Sequence, residues 1–342
     1  MRKYYVFSLS FLGLLFPFVA SAHEVYVLDS ATIMRDVMSP SPNPFSQIAH
    51  DPSLFIFWGI IGVIFVSTVF AMSITHRFEN IFNPYLNRLK PWAAPIARLT
   101  LGICLIASAY NVALFGPELP LSHFGSWAFA MQTALYVSGF LCLVGLWTRT
   151  AGIIALAVFV VGVLFYNVYM LTYANYLGEI LFSMILGSGR VSLDHYFGLR
   201  SNLFHDLRRT LEPFAFPILR ILFGVSIAFA SYFAKFTHSQ LALDVVNNYH
   251  LTAFFHFEPL FFVLGAFIVE MLIGLFLMFG FEIRHTALFF LFWIFLSLLY
   301  FGEAVWPHLV LVGVLLSLFC HGYDRYSVEG HYFKHHAREP VL

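Results

Sequence analysis

Long apolar segments separated by short polar loops are the feature that most constrains this chain. A helix needs about 18 or more residues with few charges to cross a bilayer. Such runs recur near residues 54–75, 95–115, 127–147, 151–171, 176–193, 215–236, 259–280 and 286–304, and a shorter one follows near 307–321. The sequence is 60% hydrophobic and only 11% charged, whereas soluble domains are roughly a quarter charged. We therefore predict an all-α polytopic membrane protein.

The amino-terminal segment has the layout of a secretory signal. Arg2 and Lys3 precede an apolar run that ends in Ala20-Ser21-Ala22, the small-x-small pattern that signal peptidase recognises. We expect residues 1–22 to be removed, so that the mature chain begins at His23. An uncleaved first membrane helix is the alternative.

Basic residues predict the orientation of the helices. If the mature amino terminus lies outside, the inner loops and inner helix ends hold nearly all arginines and lysines, and only Arg35 and Lys235 remain outside. This distribution obeys the positive-inside rule. We expect a bacterial inner-membrane protein with a periplasmic amino terminus and a cytoplasmic carboxy terminus. Because its soluble parts are too short for a folded domain, chemistry must reside in the membrane region, on its flanks or in a partner protein.

Two halves of the sequence resemble each other. The segment "IARLTLGICLIASAY" aligns with "ILRILFGVSIAFASY" at an offset of 122, which places Arg98 against Arg220. Farther along, an offset of 135 places Gly139 against Gly274 and the motif "RVSLD" against "RYSVE". Each unit has an even number of spans and starts inside, so the two units must be parallel.

The repeat divides the mature chain into three parts. Residues 23–94 hold a periplasmic segment, one extra membrane helix and a cytoplasmic linker. Residues 95–200 form the first four-helix bundle, and residues 201–342 form the second bundle with a cytoplasmic histidine-rich tail.

The motifs that carry the repeat resemble those of the DoxX/DoxD family of four-helix membrane proteins. They are an Arg-x-x-x-Gly helix start, "GLWTRTAG" and "GSGRVSLD". Two consecutive copies of the resemblance together cover residues 95–335. It implies a membrane subunit in thiosulfate:quinone or quinol oxidation, or a membrane partner of redox-stress enzymes. The second unit carries Lys235 and Glu270, whereas the first has Ala113 and Leu135 at the corresponding positions. If these polar residues carry activity, only the second unit should have it.

Glu270 is the strongest functional candidate in the sequence. It lies near the predicted bilayer midplane, where an ionised carboxylate costs at least ~2.5 kcal/mol. Lys235 on the preceding helix leans toward it, although their Cα heights differ by roughly 16 Å on the predicted boundaries. An ion pair is one hypothesis; a surface Lys235 and a neutral Glu270 are the alternative. A carboxyl at this depth could exchange a proton with a quinol or a transported solute.

Other polar residues in or near the spans are weaker functional candidates. Glu303 and His308 flank a short outer turn and could share the outer mouth with Lys235, or they could mark an ordinary interfacial turn. Glu179 is expected to be a solvated end residue, with a functional site as the alternative. Snorkelling to the surface is a sufficient explanation for Arg98 and Arg220, although their equivalence in the repeat indicates a shared packing or lipid-headgroup role.

The histidines give little support for a metal site. The α-amino group and imidazole of His23 could hold copper, but this reading is disfavoured because the loop histidines His238, His250 and His256 would have to gather near it. The tail histidines are His321, His331, His335 and His336. They are expected to be solvated, although His331 and His335, one helical turn apart, could bind a divalent metal.

The resemblance and Glu270 together predict a function. We expect a non-catalytic membrane subunit of a quinone-linked or redox-associated complex, rather than an independent enzyme, with a polar pocket around Glu270. Quinone is the implied ligand, and the partners are the lipid bilayer and a redox or periplasmic protein. The alternatives are a small-solute or proton transporter or channel, and a non-catalytic scaffold. No motif supports binding to nucleic acid.

Overall fold

A computed structural model describes residues 30–46, 84–189, 191–199, 210–254, 258–302 and 304–333, together with Leu28 and a few positions between 58 and 70. The predicted signal peptide and most of the first predicted span, 54–75, lie outside these stretches. The principal helices are α1 (Ser30–Met38), α2 (Ala93–Tyr110), α3 (Ala128–Val144), α4 (Thr148–Tyr166), α5 (Ala174–Leu186), α6 (Ala215–Ser231), α7 (Ser239–Asn248), α8 (Pro259–Phe279), α9 (Ile283–Phe301) and α10 (Val305–His321).

Six helical runs in the described residues are long and apolar enough to cross a membrane. They are Pro84–Tyr110, Leu121–Val144, Thr148–Leu186, Glu212–Thr237, Pro259–Phe279 and Ile283–Phe301, with the shorter apolar helix Val305–His321 beside them. The described regions contain helices and no strand. The predicted all-α, multi-pass fold is confirmed at this level.

The run from Thr148 to Leu186 contains two α-helices that fold back on each other. Asn167 follows α4 with a positive φ of 49°, and a 3-10 segment, Asn167–Tyr173, leads into α5. Gly152 near the start of α4 packs on Met184 near the end of α5, so the two helices are antiparallel.

Glycines let two helix pairs approach closely. A Cβ at Gly102 of α2 would lie 2.9 Å from the carbonyl oxygen of Gly139 in α3. A Cβ at Gly224 of α6 would lie 2.5 Å from the carbonyl oxygen of Gly274 in α8. Small residues at such crossings allow backbone-to-backbone packing, which drives helix association where lipid removes the hydrophobic effect.

Arg98 holds the end of α3. Its side chain donates to the carbonyl oxygens of Cys142 (2.7 Å), Leu143 (3.3 Å) and Val191. The last carbonyls of a helix have no partner within that helix, so these bonds satisfy groups that would otherwise be orphaned. Only 2% of Arg98 is exposed.

Arg220 plays the same part at the end of α8. It donates to the carbonyl oxygens of Leu277 and Met278, and its Nε lies 3.0 Å from Asp324 Oδ2. Because Arg98 is 2% and Arg220 1% exposed, neither side chain snorkels to the surface, and their contacts match the alternative, a shared packing role. Both guanidinium groups instead bridge a helix end to the segment after a later span. We call this side of the bundle the arginine end.

The acidic residue of each repeated motif also binds a helix start at the arginine end. Asp194 accepts the backbone N–H of Trp147 at 3.1 Å, just before α4. Glu329 accepts the backbone N–H of Ile283 at 3.0 Å, at the start of α9. An acidic side chain in this position satisfies an unpaired amide and favours the helix dipole.

Four helices meet in the middle of the molecule along a contact that we call the seam, formed by α2, α5, α6 and α10. On one side α10 packs on α2, where Thr100 occupies the space that a Cβ at Gly313 would need. On the other side α5 packs on α6, where Gly178 lies against Leu219 and Leu222.

Segments predicted to be soluble are in fact packed on the bundle. Residues 239–248, expected to form a loop, are α7, and Arg35 of α1 pairs with Asp244 of α7 at 2.7 Å. The tail after Cys320 is buried at Tyr323, Ser327 and Glu329. The tail stays packed because its Asp324 carboxylate binds Arg220 and its Glu329 carboxylate binds the backbone N–H of Ile283 at the start of α9.

Candidate functional site

Lys235 lies in a short π-helical turn at the end of α6. The α-helix ends at Ser231, and Tyr232–Thr237 continues with the wider π spacing. Short π segments are rare and are frequent at functional sites. The turn leaves Lys235 largely buried, at 5% exposure, instead of projecting it to the end of the bundle.

Glu270 of α8 forms an ion pair with Lys235. The Nζ atom of Lys235 lies 2.9 Å from Oε2 of Glu270, and the two side chains are 7% and 14% exposed. The ion pair that the sequence left as one of two alternatives is therefore present. At this distance and burial the attraction is strong, and each charge depends on its partner to offset the loss of water.

The Gly224–Gly274 contact explains how the two side chains reach each other. Counted from that contact at 1.5 Å per residue, the Cα atoms of Lys235 and Glu270 differ in height by about 10 Å, rather than the 16 Å expected. Side chains on helices lean toward the helix amino terminus, so on these antiparallel helices they lean toward each other.

Three aromatic rings cluster on the segments that carry the pair. Phe236, next to Lys235, stacks on Phe267 of α8 with ring centroids 5.6 Å apart. Phe45, from the segment that follows α1, lies 6.1 Å from Phe236 and 6.0 Å from Phe267. Two of the three rings are thus within one helical turn, along the chain, of Lys235 or Glu270.

The corresponding part of the first half is apolar. Ala113 and Leu135, which the sequence offsets match to Lys235 and Glu270, are both buried. The matched positions of the first half therefore carry no charged pair.

His308 lies in the first turn of α10, on the side of the molecule where α10 meets α2. Its Nδ1 is 2.9 Å from the carbonyl oxygen of Ala304, and the neighbouring carbonyl of Trp306 accepts a bond from Cys104 of α2. Glu303, the other proposed outer-mouth residue, lies outside the described residues. The shared outer mouth therefore remains a prediction.

Glu179 is a second buried acid that sequence reasoning misjudged. It was expected to be solvated, but it is completely buried in the seam, and its Oε1 is 3.3 Å from the Thr100 hydroxyl. The error came from treating the start of α5 as a membrane surface. Gly178 and Ser183 were the missed signal, because small residues on one helix indicate close packing.

Another polar cluster escaped the sequence analysis. Tyr169 and Tyr173, in the turn between α4 and α5, both donate to Glu118 Oε1. The ring of Tyr169 also contacts Phe233, two residues before Lys235, at 5.1 Å. Glu118 and Lys235 therefore lie at the same end of the bundle, opposite the arginine end.

The histidines do not gather in the part of the chain that can be described. His321, expected to be solvated, is buried against the ring of Phe216. No group of three histidine, cysteine or acidic residues within the described stretches is arranged to hold a metal ion. His23, His256, His335 and His336 fall outside those stretches.

No family model, curated protein or solved structure matches this chain. A proposal about its function therefore depends on its own residues.

Proposed function

We propose that this chain is a DoxX-like inner-membrane protein that serves as the quinone-binding subunit of a redox complex. The ion pair between Lys235 and Glu270, joined at 2.9 Å within apolar helices, is the observation that carries the proposal. Ionisable groups inside a membrane region are costly, and they usually mark a site of binding or proton exchange.

Matched contacts support an architecture of two parallel four-helix units. Arg98 and Arg220 bind equivalent carbonyl pairs, at the ends of α3 and α8. Gly145 and Gly280 follow those helix ends with nearly the same positive φ, 68° and 69°. In each half, the first helix packs on the second through a pair of glycines. All of these matches obey the offsets read from the sequence.

The same matches support the proposed orientation. The arginine end of the bundle carries Arg98, Arg149, Arg220 and Arg284 near its surface loops, as expected for a cytoplasmic side. The end with Lys235 would then face the periplasm. A periplasmic redox protein could reach the quinone site from that side.

The chemistry of the pair suits a quinone head group. A quinone ring has two carbonyl oxygens that accept hydrogen bonds, and its reduced form has two hydroxyl groups that donate them. The ammonium group of Lys235 donates only, and the carboxylate of Glu270 accepts only. Between them they can orient the head group and hold a proton at the Glu270 carboxylate. Phe236 and Phe267 add aromatic surface on the same two helical segments.

Quinone retained by the purified protein tests this proposal. The protein is purified in native lipid, extracted and measured by mass spectrometry as wild type, Glu270→Gln and Glu258→Gln. Glu258 is a matched control because it is an exposed carboxyl at the start of the same helix. We expect about one quinone per wild-type or Glu258→Gln chain, and at least a tenfold loss in Glu270→Gln.

Two results would contradict the proposal. One is the absence of quinone from every form of the protein, and the other is equal retention by all three forms. Either result would favour transport of a proton or small solute, or a scaffold role.

A further inference from the structure

Glu179 lies in a sealed polar cluster, outside the site described above. The seam surrounds it completely, with none of its surface exposed. The neighbouring polar or titratable side chains are Thr100 and Cys104 of α2, Cys142 of α3 and Ser183 of α5. None of these groups carries a positive charge, so nothing among them can balance a carboxylate.

The Thr100 hydroxyl cannot fully satisfy Glu179. It has one hydrogen, and its oxygen lies 3.0 Å from the carbonyl oxygens of both Ile96 and Ala97. The bond that it donates to Glu179 Oε1 is longer, at 3.3 Å. The carboxyl therefore shares the single hydrogen of Thr100 with two nearer acceptors, which leaves a carboxylate poorly compensated.

The second oxygen of the carboxyl is left unsatisfied. Glu179 Oε2 is buried and has no hydrogen-bond partner, and neither has the Ser183 hydroxyl one helical turn away. An ionised carboxylate without a partner in an apolar interior is far more costly than the neutral acid. A proton on Glu179 would remove that cost.

The packing of the seam does not require an acid at this position. The sequence offset of 135 matches Glu179 with Val314 of α10, which is equally buried in the other side of the seam. Gly178 and Gly313, the residues just before them, both make the close helix contacts of the seam. Valine thus fills the equivalent position without the cost of burying a carboxyl group. Packing alone therefore does not explain the carboxyl of Glu179.

We propose that Glu179 is a proton-binding site within the seam, which takes up or releases one proton when α5 and α2 separate. The unpartnered Ser183 hydroxyl extends the polar surface one turn toward the arginine end, where the proton would leave. This site does not depend on quinone binding, because its residues lie on α2 and α5 rather than on α6 and α8.

Two measurements on the full-length protein in lipid vesicles test the proposal together. Infrared spectroscopy detects the C=O stretch of a protonated carboxyl, and a pH-sensitive dye inside the vesicles reports proton flux under an imposed potential. The variants are Glu179→Gln, Glu179→Val, which copies Val314, and Glu258→Gln as control. Glu179→Val keeps the test informative if the glutamine variant fails to fold.

We expect the wild type and Glu258→Gln to show the carboxyl band at pH 7 and a measurable proton flux. Both Glu179 variants should lose one band of this kind and at least fivefold of the flux. Wild-type protein without such a band would overturn the protonated state. A Glu179 band with no flux, or with flux that the Glu179 variants retain, would make the residue a structural acid only and end the proposal.

Discussion

Removing either member of the Lys235–Glu270 pair should cost more stability than removing both. The pair has a 2.9 Å contact and side-chain exposures of 7% and 14%, so removing one member takes a close opposite charge from the other in a place that water hardly reaches. Breaking a buried pair costs about 3–5 kcal/mol, and partial exposure places both Lys235→Met and Glu270→Gln near the lower bound, ~3 kcal/mol. The double variant should cost less than either single one, since it removes both charges together.

The three cysteines provide the assay. Cys104, Cys142 and Cys320 are free and buried, so a dye that fluoresces on reaction with thiols reports unfolding. Denaturation of the four proteins in the same micelles then gives a double-mutant cycle with an expected coupling of about 3 kcal/mol or more. Additive costs, with coupling below about 0.5 kcal/mol, would refute the ion pair as a stabilising contact in the native protein.

Three further outcomes follow from the packing and the charges. Gly224→Ala should destabilise the bundle by about 1–3 kcal/mol, because its Cβ would lie 2.5 Å from the Gly274 carbonyl oxygen. Gly265→Ala on α8 should be nearly neutral, because the nearest atom to its Cβ would lie 3.5 Å away. Thermal unfolding of the two variants compares these effects. Arg220→Met should cost about 3–5 kcal/mol, because Asp324 and two carbonyls lose their donor, and increased hydrogen exchange in residues 322–333 would show the release of the tail. Burial raises the pKa of Asp36 above its usual 3.8, so the folded chain holds that proton more tightly than the unfolded chain. The resulting stabilisation of α1 is complete below pH 3.8 and is lost as pH rises through the raised pKa. Hydrogen exchange in α1, corrected for intrinsic rates, measures this loss.

The sequence predicted the helices because apolar runs of membrane length are unambiguous. It also singled out Lys235 and Glu270, since charges in such runs are rare. It could not decide between an ion pair and two separate residues, because that depends on the π-helical turn and on the Gly224–Gly274 register. Both arise from tertiary packing, which a single helix does not encode.

Errors in the sequence analysis share one cause. Arg98, Arg220 and Glu179 lie near the ends of apolar runs, and the end of a run was taken for the surface of the protein. The structure buries all three, because other segments cover those ends. The covering segments come from distant parts of the chain, so local hydropathy cannot reveal them.

Mapping a photoreactive quinone on the protein tests the central claim most directly. A short-chain quinone that carries a photoactivated group is cross-linked to the purified protein, with and without excess unlabelled quinone, and the labelled peptides are sequenced. We predict label on α6 and α8 near Phe236 and Phe267, suppressed by competitor and by Glu270→Gln. Label spread over the lipid-facing surfaces of α3, α4 and α9, unaffected by competitor or by that substitution, would contradict the account.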